Sequence, residues 1–457
     1  MPVHRVTQEI PGGVGRLEGR FAAGHLGELT QIVPFEMVDA ALTETGAVQS
    51  RIRALPSRVV VYLLLAAALF AECGYRQVWA HMIAGLDGLA VATPSAAALA
   101  AARRRIGAAP LRALFDLLRG PAAGPATKGV WWHGRLVTAI DGTTLCCADT
   151  PANLRVYCKG GSHHGGTGYP MVRLLALVAC GTRALIATTF GPTSVGETGY
   201  APDLLAALHR GMLVLADRNF AAADLIGQIA ATGADLLFRV KAGRRLPVCA
   251  GCADGSWISR IGGVEVRVIR CAITIATSAG RRSEVYQLVT TVLDTDCPAA
   301  EIVRLYHERW EIETAYLEIK QTLGEGRVLR ARTPAGLEQE IYALLVTYQV
   351  LRIAISDATI GRPDVDPDRG SFTVALNTAR EQVIHAAGII AETPIDLIGA
   401  IGRQVLDHLL PDRRCRTSPR VVKRAISNYV PKTATGRLRG PSYQATISIA
   451  ILADPDP

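Results

Sequence analysis

The sequence has no apolar run long enough to cross a bilayer. Its longest, VVVYLLLAAALFA from Val59 to Ala71, has 13 residues, against the roughly 20 that a spanning helix needs, so a buried helix is expected there. The first residues, MPVHRVTQEIPGG, lack the apolar stretch and small-residue cleavage pattern of a secretory signal. These absences argue for a soluble, cytoplasmic protein with no membrane partner. A second paired-cysteine motif is also missing. Of ten cysteines, Cys249 and Cys252 form a single CxxC, Cys146 and Cys147 are adjacent, and Cys271 and Cys297 stand alone. A structural zinc site needs a second ligand pair at matching spacing, so reduced thiols are the expectation. No internal repeat and no long low-complexity tract is present, which excludes a repeat architecture.

The chain is long and apolar: 457 residues, 49% hydrophobic, with a formal net charge of +9. That is enough for a sizeable core and about two to four structural units. The basic excess is compatible with a polyanion such as nucleic acid, and equally with an ordinary basic protein.

Residues 1–130 read as helical. Pro56 opens the helix that continues through the apolar run. A second helix follows Thr93-Pro94-Ser95, with Thr93 or Ser95 as its cap. It ends on Arg103, Arg104 and Arg105, which suit either the negative end of a helix dipole or phosphate contact. GPAAGPATKG, Gly120 to Gly129, is a linker by composition. Strands follow over 131–240: RLVTAID (135–141), a hairpin of RLLALVAC (173–180) and ALIATTF (184–190), GMLVLAD (211–217) and ADLLFRVK. The helical patterns APDLLAALH and FAAADLIGQIAATG lie between them. Residues 241–296 alternate and suggest an antiparallel β-rich insertion. Helices resume over 297–357, and 358–457 is a helical and basic region ending in RRCRTSPRVVKR (413–424).

One stretch concentrates polar chemistry. In YHERWEIETAYLEIK (306–320), Tyr306, Arg309, Glu313 and Lys320 fall within roughly 60° of one another on a helical wheel. Leu305, Ile312, Tyr316, Ile319 and Leu323 form an adjacent apolar stripe. His307, Glu308, Glu311, Thr314, Glu318 and Gln321 are expected on the solvated side. Arg309 and Glu313 could be no more than an i, i+4 ion pair worth a few tenths of a kcal/mol.

Two further acids alter that balance. Asp141, in AIDGTT, and Asp217, in LADRNF, each end an apolar strand. Either alone could cap a turn. Two acids at strand ends, where open α/β sheets carry their sites, plus a third on a helix border, are what two divalent cations require. Hard oxygen ligands suit magnesium, and two such ions promote in-line phosphodiester displacement. Arg309 and Lys320 then supply positive charge for phosphates, and Tyr306 a hydrogen bond or a stacking face.

The order Asp141, Asp217, Glu313 resembles the acidic triad of DDE transposases. The helix matches the Tyr-x2-Arg-x3-Glu-x6-Lys signature of the insertion-sequence-four type at Tyr306, Arg309, Glu313 and Lys320. The resemblance covers most of the chain and is weakest after about residue 360. It implies an α/β fold: a ribonuclease-H-like mixed-sheet core with a β-rich insertion, preceded by an all-helical N-terminal DNA-binding domain. By position it makes Asp141, Asp217 and Glu313 the catalytic residues and ligands of two divalent cations, Mg2+ with Mn2+ as substitute. Tyr306, Arg309 and Lys320, with Arg103, Arg104 and Arg105, become DNA contacts. Arg218 and Asn219 become candidates for supporting Asp217, and Trp310 is open between base stacking and core packing. The implied activity is cut-and-paste transposition, by hydrolysis and attack of the freed 3′ hydroxyl on target DNA. Terminal inverted repeats and target duplex are the partners, with a homodimer on bacterial nucleoid DNA. SFTVALNTAREQVIHAAG is open between a role in that dimer and ordinary packing. A metal-dependent nuclease without strand transfer and a transposase-derived DNA-binding regulator are the alternatives.

Overall fold

Eleven strands carry the stretch in which the two aspartates lie. A computed structural model describes residues 24–51, 53–86, 91–160, 168–241, 243–277, 280–387, 399–411 and 446–452. The strands are β1 (Trp131–Trp132), β2 (Arg135–Cys146), β3 (Met171–Ala179), β4 (Leu185–Pro192), β5 (Met212–Ala216), β6 (Asp235–Val240), β7 (Ala250–Gly251), β8 (Trp257–Ile261), β9 (Val264–Thr277), β10 (Gly280–Thr290) and β11 (Thr446–Ile451). They form one sheet in the order β4-β3-β2-β5-β6-β10-β9-β8-β7, with β1 beside β2 and β11 beside β9. β2, β5 and β6 run parallel. The β3–β4 pair and the succession from β6 through β10, β9 and β8 to β7 are antiparallel.

The central strands follow from their sequence. All of β5, MLVLA, is buried. Parallel strands are covered on both faces and so favour continuous apolar runs over alternation. Helix Ala223–Ala231 supplies the crossover that joins β5 to its parallel neighbour β6. In the β3–β4 hairpin the left-handed residue is Arg183, with φ of 58°. Gly181 is needed there for another reason: a Cβ on it would stand 2.5 Å from the Gly129 carbonyl oxygen. APDLLAALH winds as a 3-10 helix over Ala201–Ala207 after a short turn of helix at Glu197–Tyr200.

Two expectations change. The insertion over 241–296 is antiparallel, but β10 pairs with β6, from Gln287 opposite Val240 to Thr290 opposite Leu237. It therefore extends the core sheet. The final region, expected to be helical and basic, also contributes β11, which lies along β9 from Thr446 opposite Ala276 to Ile451 opposite Cys271. The basic stretch 413–424 is outside the described residues.

The chain divides into two compact units. One comprises residues up to Lys128, Leu145–Val156 and Ala315–Leu410; the other comprises Gly129–Thr144, Tyr157–Thr314 and residues from Pro411. This packing crosses the linear five-part division expected from composition.

In the helical unit, every residue of Ser57–Leu69 except Arg58 is buried, and Arg58 pairs with Asp39. Ser95, not Thr93, caps Ala96–Ile106: its Oγ accepts from the Ala98 N–H at 3.2 Å. Pro334–Ile360 is the one described helix long and apolar enough to cross a membrane, and 78% of that apolar stretch is buried within the protein. It also carries buried Gln349 and Arg352. Gln349 donates to the carbonyls of Leu118 and Gly120, and Arg352 pairs with Glu318. Matched polar groups on so buried a helix fit the core of a folded unit.

Candidate active site

Asp141 and Asp217 are brought together by register. In the parallel β2–β5 pair, Ala139 stands opposite Leu215. Asp141 and Asp217 each follow two residues later, which brings them near enough for Asp217 to act on the Asp141 carboxyl. Both also serve their local turns. Asp141 Oδ1 accepts from the Gly142 N–H at 2.8 Å, and Asp217 Oδ1 accepts from the Asn219 N–H at 2.8 Å. Turn capping and the closeness of the two acids therefore coexist.

Arg309 joins this pair to the helix. Its Nη1 lies 3.3 Å from Asp141 Oδ2 and its Nη2 lies 3.3 Å from Glu313 Oε1. The guanidinium rests over the Trp310 ring, 4.4 Å from its centroid. Trp310 thus supports Arg309 through cation–π attraction. Burial works against the charge on Arg309, but Tyr306, Asp141, Glu313 and Asp217 outweigh it and raise its pKa. Asp141 goes the other way from an ordinary carboxyl. Burial, reinforced by Asp217 and Glu197, pushes it up to about 6 against the pull of Arg309 and the Gly142 N–H. Acidic oxygens are thus crowded in a half-buried place, the condition that a hard divalent cation relieves.

The donor set is all oxygen and fits such an ion, but three acids are not gathered around one point. No group of three or more His, Cys, Asp and Glu among the described residues is close enough to hold a metal. The expected three-acid metal site is not preassembled, because the Arg309 guanidinium stands between Asp141 and Glu313.

Other expected contacts also shift. Tyr306 is buried, and its hydroxyl donates to the Ala216 carbonyl at 3.2 Å. It braces the strand residue before Asp217. Arg309 is only 5% exposed, so its charge is directed at carboxylates and not at the surface. Glu311, expected in solvent, is buried and pairs with Arg183 at 2.6 Å. Glu318, likewise expected in solvent, is buried against Arg352, and the Tyr348 hydroxyl donates to it at 3.1 Å. Partners distant in sequence, Arg183 for Glu311 and Arg352 with Tyr348 for Glu318, take these acids out of solvent, and the stretch is also not one uniform helix. The stretch is 3-10 over Tyr306–Arg309, α over Trp310–Leu317 and π over Glu318–Leu323. Each change of pitch rotates the following side chains away from the uniform 100° wheel. Leu305, Ile312, Tyr316, Ile319 and Leu323 are nevertheless all buried. Lys320 is half-buried on the π segment, in the helical unit. In that unit Arg103 stacks 3.6 Å from the Tyr75 ring centroid and Arg105 donates to the Leu55 carbonyl at 2.7 Å, while Arg104 is exposed.

Glu197 was not singled out from the sequence. Its Oε1 is 3.2 Å from Arg173 Nη1, and its Oε2 accepts from Asn219 Nδ2 at 3.0 Å. A Cβ on Gly142 would come within 2.5 Å of its carboxylate, so glycine there admits a fourth acid beside Asp141. Asn219 supports Asp217 through its backbone N–H and Glu197 through its side chain.

Comparison with known proteins now bears on this site. Residues 23–116 match the family model of the insertion element 4 transposase N-terminal region, and residues 132–350 match that of the transposase DDE domain. The chain is 26% identical over 414 residues to Transposase InsG for insertion sequence element IS4 of Escherichia coli (strain K12), covering 86% of this chain and 91% of that one. It is 30% identical over 199 residues to Putative transposase InsZ of the same organism, covering 42% of this chain and 64% of that one. Among solved structures, a piggyBac transposase synaptic complex with hairpin DNA aligns over 88% of each chain with a TM-score of 0.41 and 10% identity. The two family models together span well over half of the chain, and it belongs to the DDE transposases of the insertion-element-4 type.

Proposed function

We propose that Asp141, Asp217 and Glu313 are the catalytic acids of this transposase and hold its divalent ions, Mg2+ with Mn2+ as substitute. The enzyme acts on DNA, and its family depends on divalent metal. The observation carrying this assignment is the parallel register that puts Asp141 beside Asp217, with Arg309 linking Asp141 to Glu313. Bound there, the metal would supply Lewis acidity at the scissile phosphate and a more acidic water or hydroxyl. The protein's own groups do the rest. Arg309, held over Trp310, balances Asp141 and Glu313 while they are without metal and keeps their oxygens turned inward. Tyr306 fixes the end of β5 through the Ala216 carbonyl. Asn219 restrains Asp217 and Glu197 together.

The reaction is an in-line exchange at phosphorus. Water forms a new P–O bond while the bond to a 3′ oxygen breaks and that oxygen takes a proton. The 3′ hydroxyl then loses its proton and attacks a phosphodiester of target DNA, forming a new P–O bond while the target's own bond to its 3′ oxygen breaks and that oxygen takes up a proton. Lys320 and the exposed Arg104 are assigned to phosphates of the element end, and Arg103 and Arg105 to shaping that helix. Residues 1–130 are assigned to DNA binding and 131–240 with 297–357 to catalysis. Two ends must be cut together, so a homodimer on the DNA, in the bacterial cytoplasm, is the working assembly.

The test first seeks terminal inverted repeats in the DNA on either side of this reading frame, then supplies a linear donor ending in them, together with a target plasmid and Mg2+. Joined product is expected from the wild type. Asp217→Asn is expected to bind the donor and neither cut nor join it. Cut ends that never join would support the nuclease alternative, and unchanged joining by Asp217→Asn would overturn the assignment.

A further inference from the structure

β5 and β6 run parallel and end side by side, with Ala216 opposite Phe238. The loops that follow them enclose a cleft of about 640 Å³. Arg218 and Asn219 line it from the loop after Asp217, and Lys241 and Arg244 line it from the loop after β6. No carboxylate and no aromatic ring is among its described lining residues; the remaining walls are Ala221, Ala222 and Gly243. Arg218 and Lys241 are exposed. Arg244 is tied down: its Nη1 donates to the Ala221 carbonyl, and its own carbonyl accepts from Gln287 Nε2 at 3.0 Å. It therefore clasps the two loops together and fixes the width of the cleft. Asn219 belongs to both places, since it also holds Asp217 and Glu197.

We propose that this cleft binds the sugar–phosphate backbone of one DNA strand, at the phosphates next to the one being cut. The inference rests on the transposase reading and adds a subsite that the acidic residues do not provide. Three cations with no opposing acid suit phosphodiester oxygens. With no aromatic face there is nothing on which a base could stack, so recognition is of backbone and not of sequence. Small side chains on the remaining walls allow the chain of phosphates to approach closely. The shared loop keeps the cleft in step with Asp217, so a strand seated in it is aligned for attack at the metal site.

Two measurements test this. The first is the affinity of the full chain for a short random-sequence duplex over a range of salt concentrations. Arg218→Gln with Lys241→Gln is expected to flatten the salt slope by about 0.9 for each lost phosphate contact, close to a tenfold loss of affinity per contact near 0.1 M salt. Lys241→Arg is expected to keep the wild-type slope, and an unaltered melting temperature checks that the exposed substitutions leave the fold intact. The second replaces single phosphates of the donor flank by neutral methylphosphonates. Wild type is expected to lose affinity at the positions next to the cleavage point, and the double variant to be indifferent at those same positions. A double variant with the wild-type slope and the wild-type sensitivity overturns the cleft while leaving transposition standing. A wild type with no salt-dependent DNA binding overturns the transposase reading itself.

Discussion

Two buried arginines show how a closed ion pair differs from an open one. Arg352, in the helical unit, is sealed: its side chain is 0% exposed and that of its partner Glu318 is 8% exposed. The Tyr348 hydroxyl completes Glu318, and the Phe372 ring lies 5.1 Å from the guanidinium. Arg309, in the sheet unit, is almost as buried at 6%, but Asp141 and Glu313 are 15% and 23% exposed. One arginine faces one closed acid; the other divides itself between two acids with solvent behind them. The first arrangement has no room for another ligand. In the second, both acids keep part of their side chains in contact with solvent.

The largest effect expected from breaking this contrast is on chemistry. Asp141→Asn, Asp217→Asn and Glu313→Gln should each lower metal-dependent donor cleavage by roughly 10³-fold or more, with donor binding retained in a gel-shift measurement. Loss of binding with normal cleavage of whatever is bound would contradict the distinction. Next comes stability. Arg352→Met strands Glu318 in a closed place and should cost about 3–5 kcal/mol in denaturant unfolding, with no recovery on adding Mg2+. Arg309→Met should cost less and recover on adding Mg2+, because a cation can reach its two acids. Equal behaviour of the two variants toward Mg2+ would erase the comparison.

A smaller effect concerns pH. Without metal, burial pushes the Asp141 carboxyl up to about 6, against an ordinary 3.8. The folded state holds this proton more tightly than the unfolded chain, so the carboxyl contributes most below about 3.8, loses its contribution as pH rises to about 6, and is constant above. Asp141→Asn removes that dependence. Its melting temperature relative to wild type should therefore climb between those limits and then level. A difference flat with pH would show that Asp141 is not desolvated. The smallest effect is expected at Glu197→Gln, which keeps the side-chain volume and a carbonyl for Asn219 but removes a charge beside Asp141. Cleavage should fall about tenfold, with the acid limb of the pH–rate profile moving to lower pH. An unmoved limb would leave Glu197 a purely structural partner of Arg173.

The sequence carried the site's strands because apolar runs ending in an acid are local signals, and register then sets Asp141 beside Asp217. The apolar stripe from Leu305 to Leu323 was legible for the same reason. Glu311 and Glu318 were misread because a wheel sees only its own stretch, and the arginines that bury them, Arg183 and Arg352, lie elsewhere in the sequence. Glu197 gave no signal: it lies in GPTSVGETGY, a stretch with no periodicity, and only folding brings it to Gly142. The pairing of β10 with β6 joins residues far apart in sequence. β11 is a different case, since TISIAI alternates openly and was obscured by the irregular region before it.

The unbroken sheet has a mechanical meaning. From β7 to β4 each strand is hydrogen-bonded to the next, with one register shift at Leu177/Val178 in the β3–β4 pair. Β10 bonds to β6, β6 to β5, and Asp217 sits where β5 ends. The ladder that ties the added ribbon to the core therefore also fixes the strand end from which that aspartate follows.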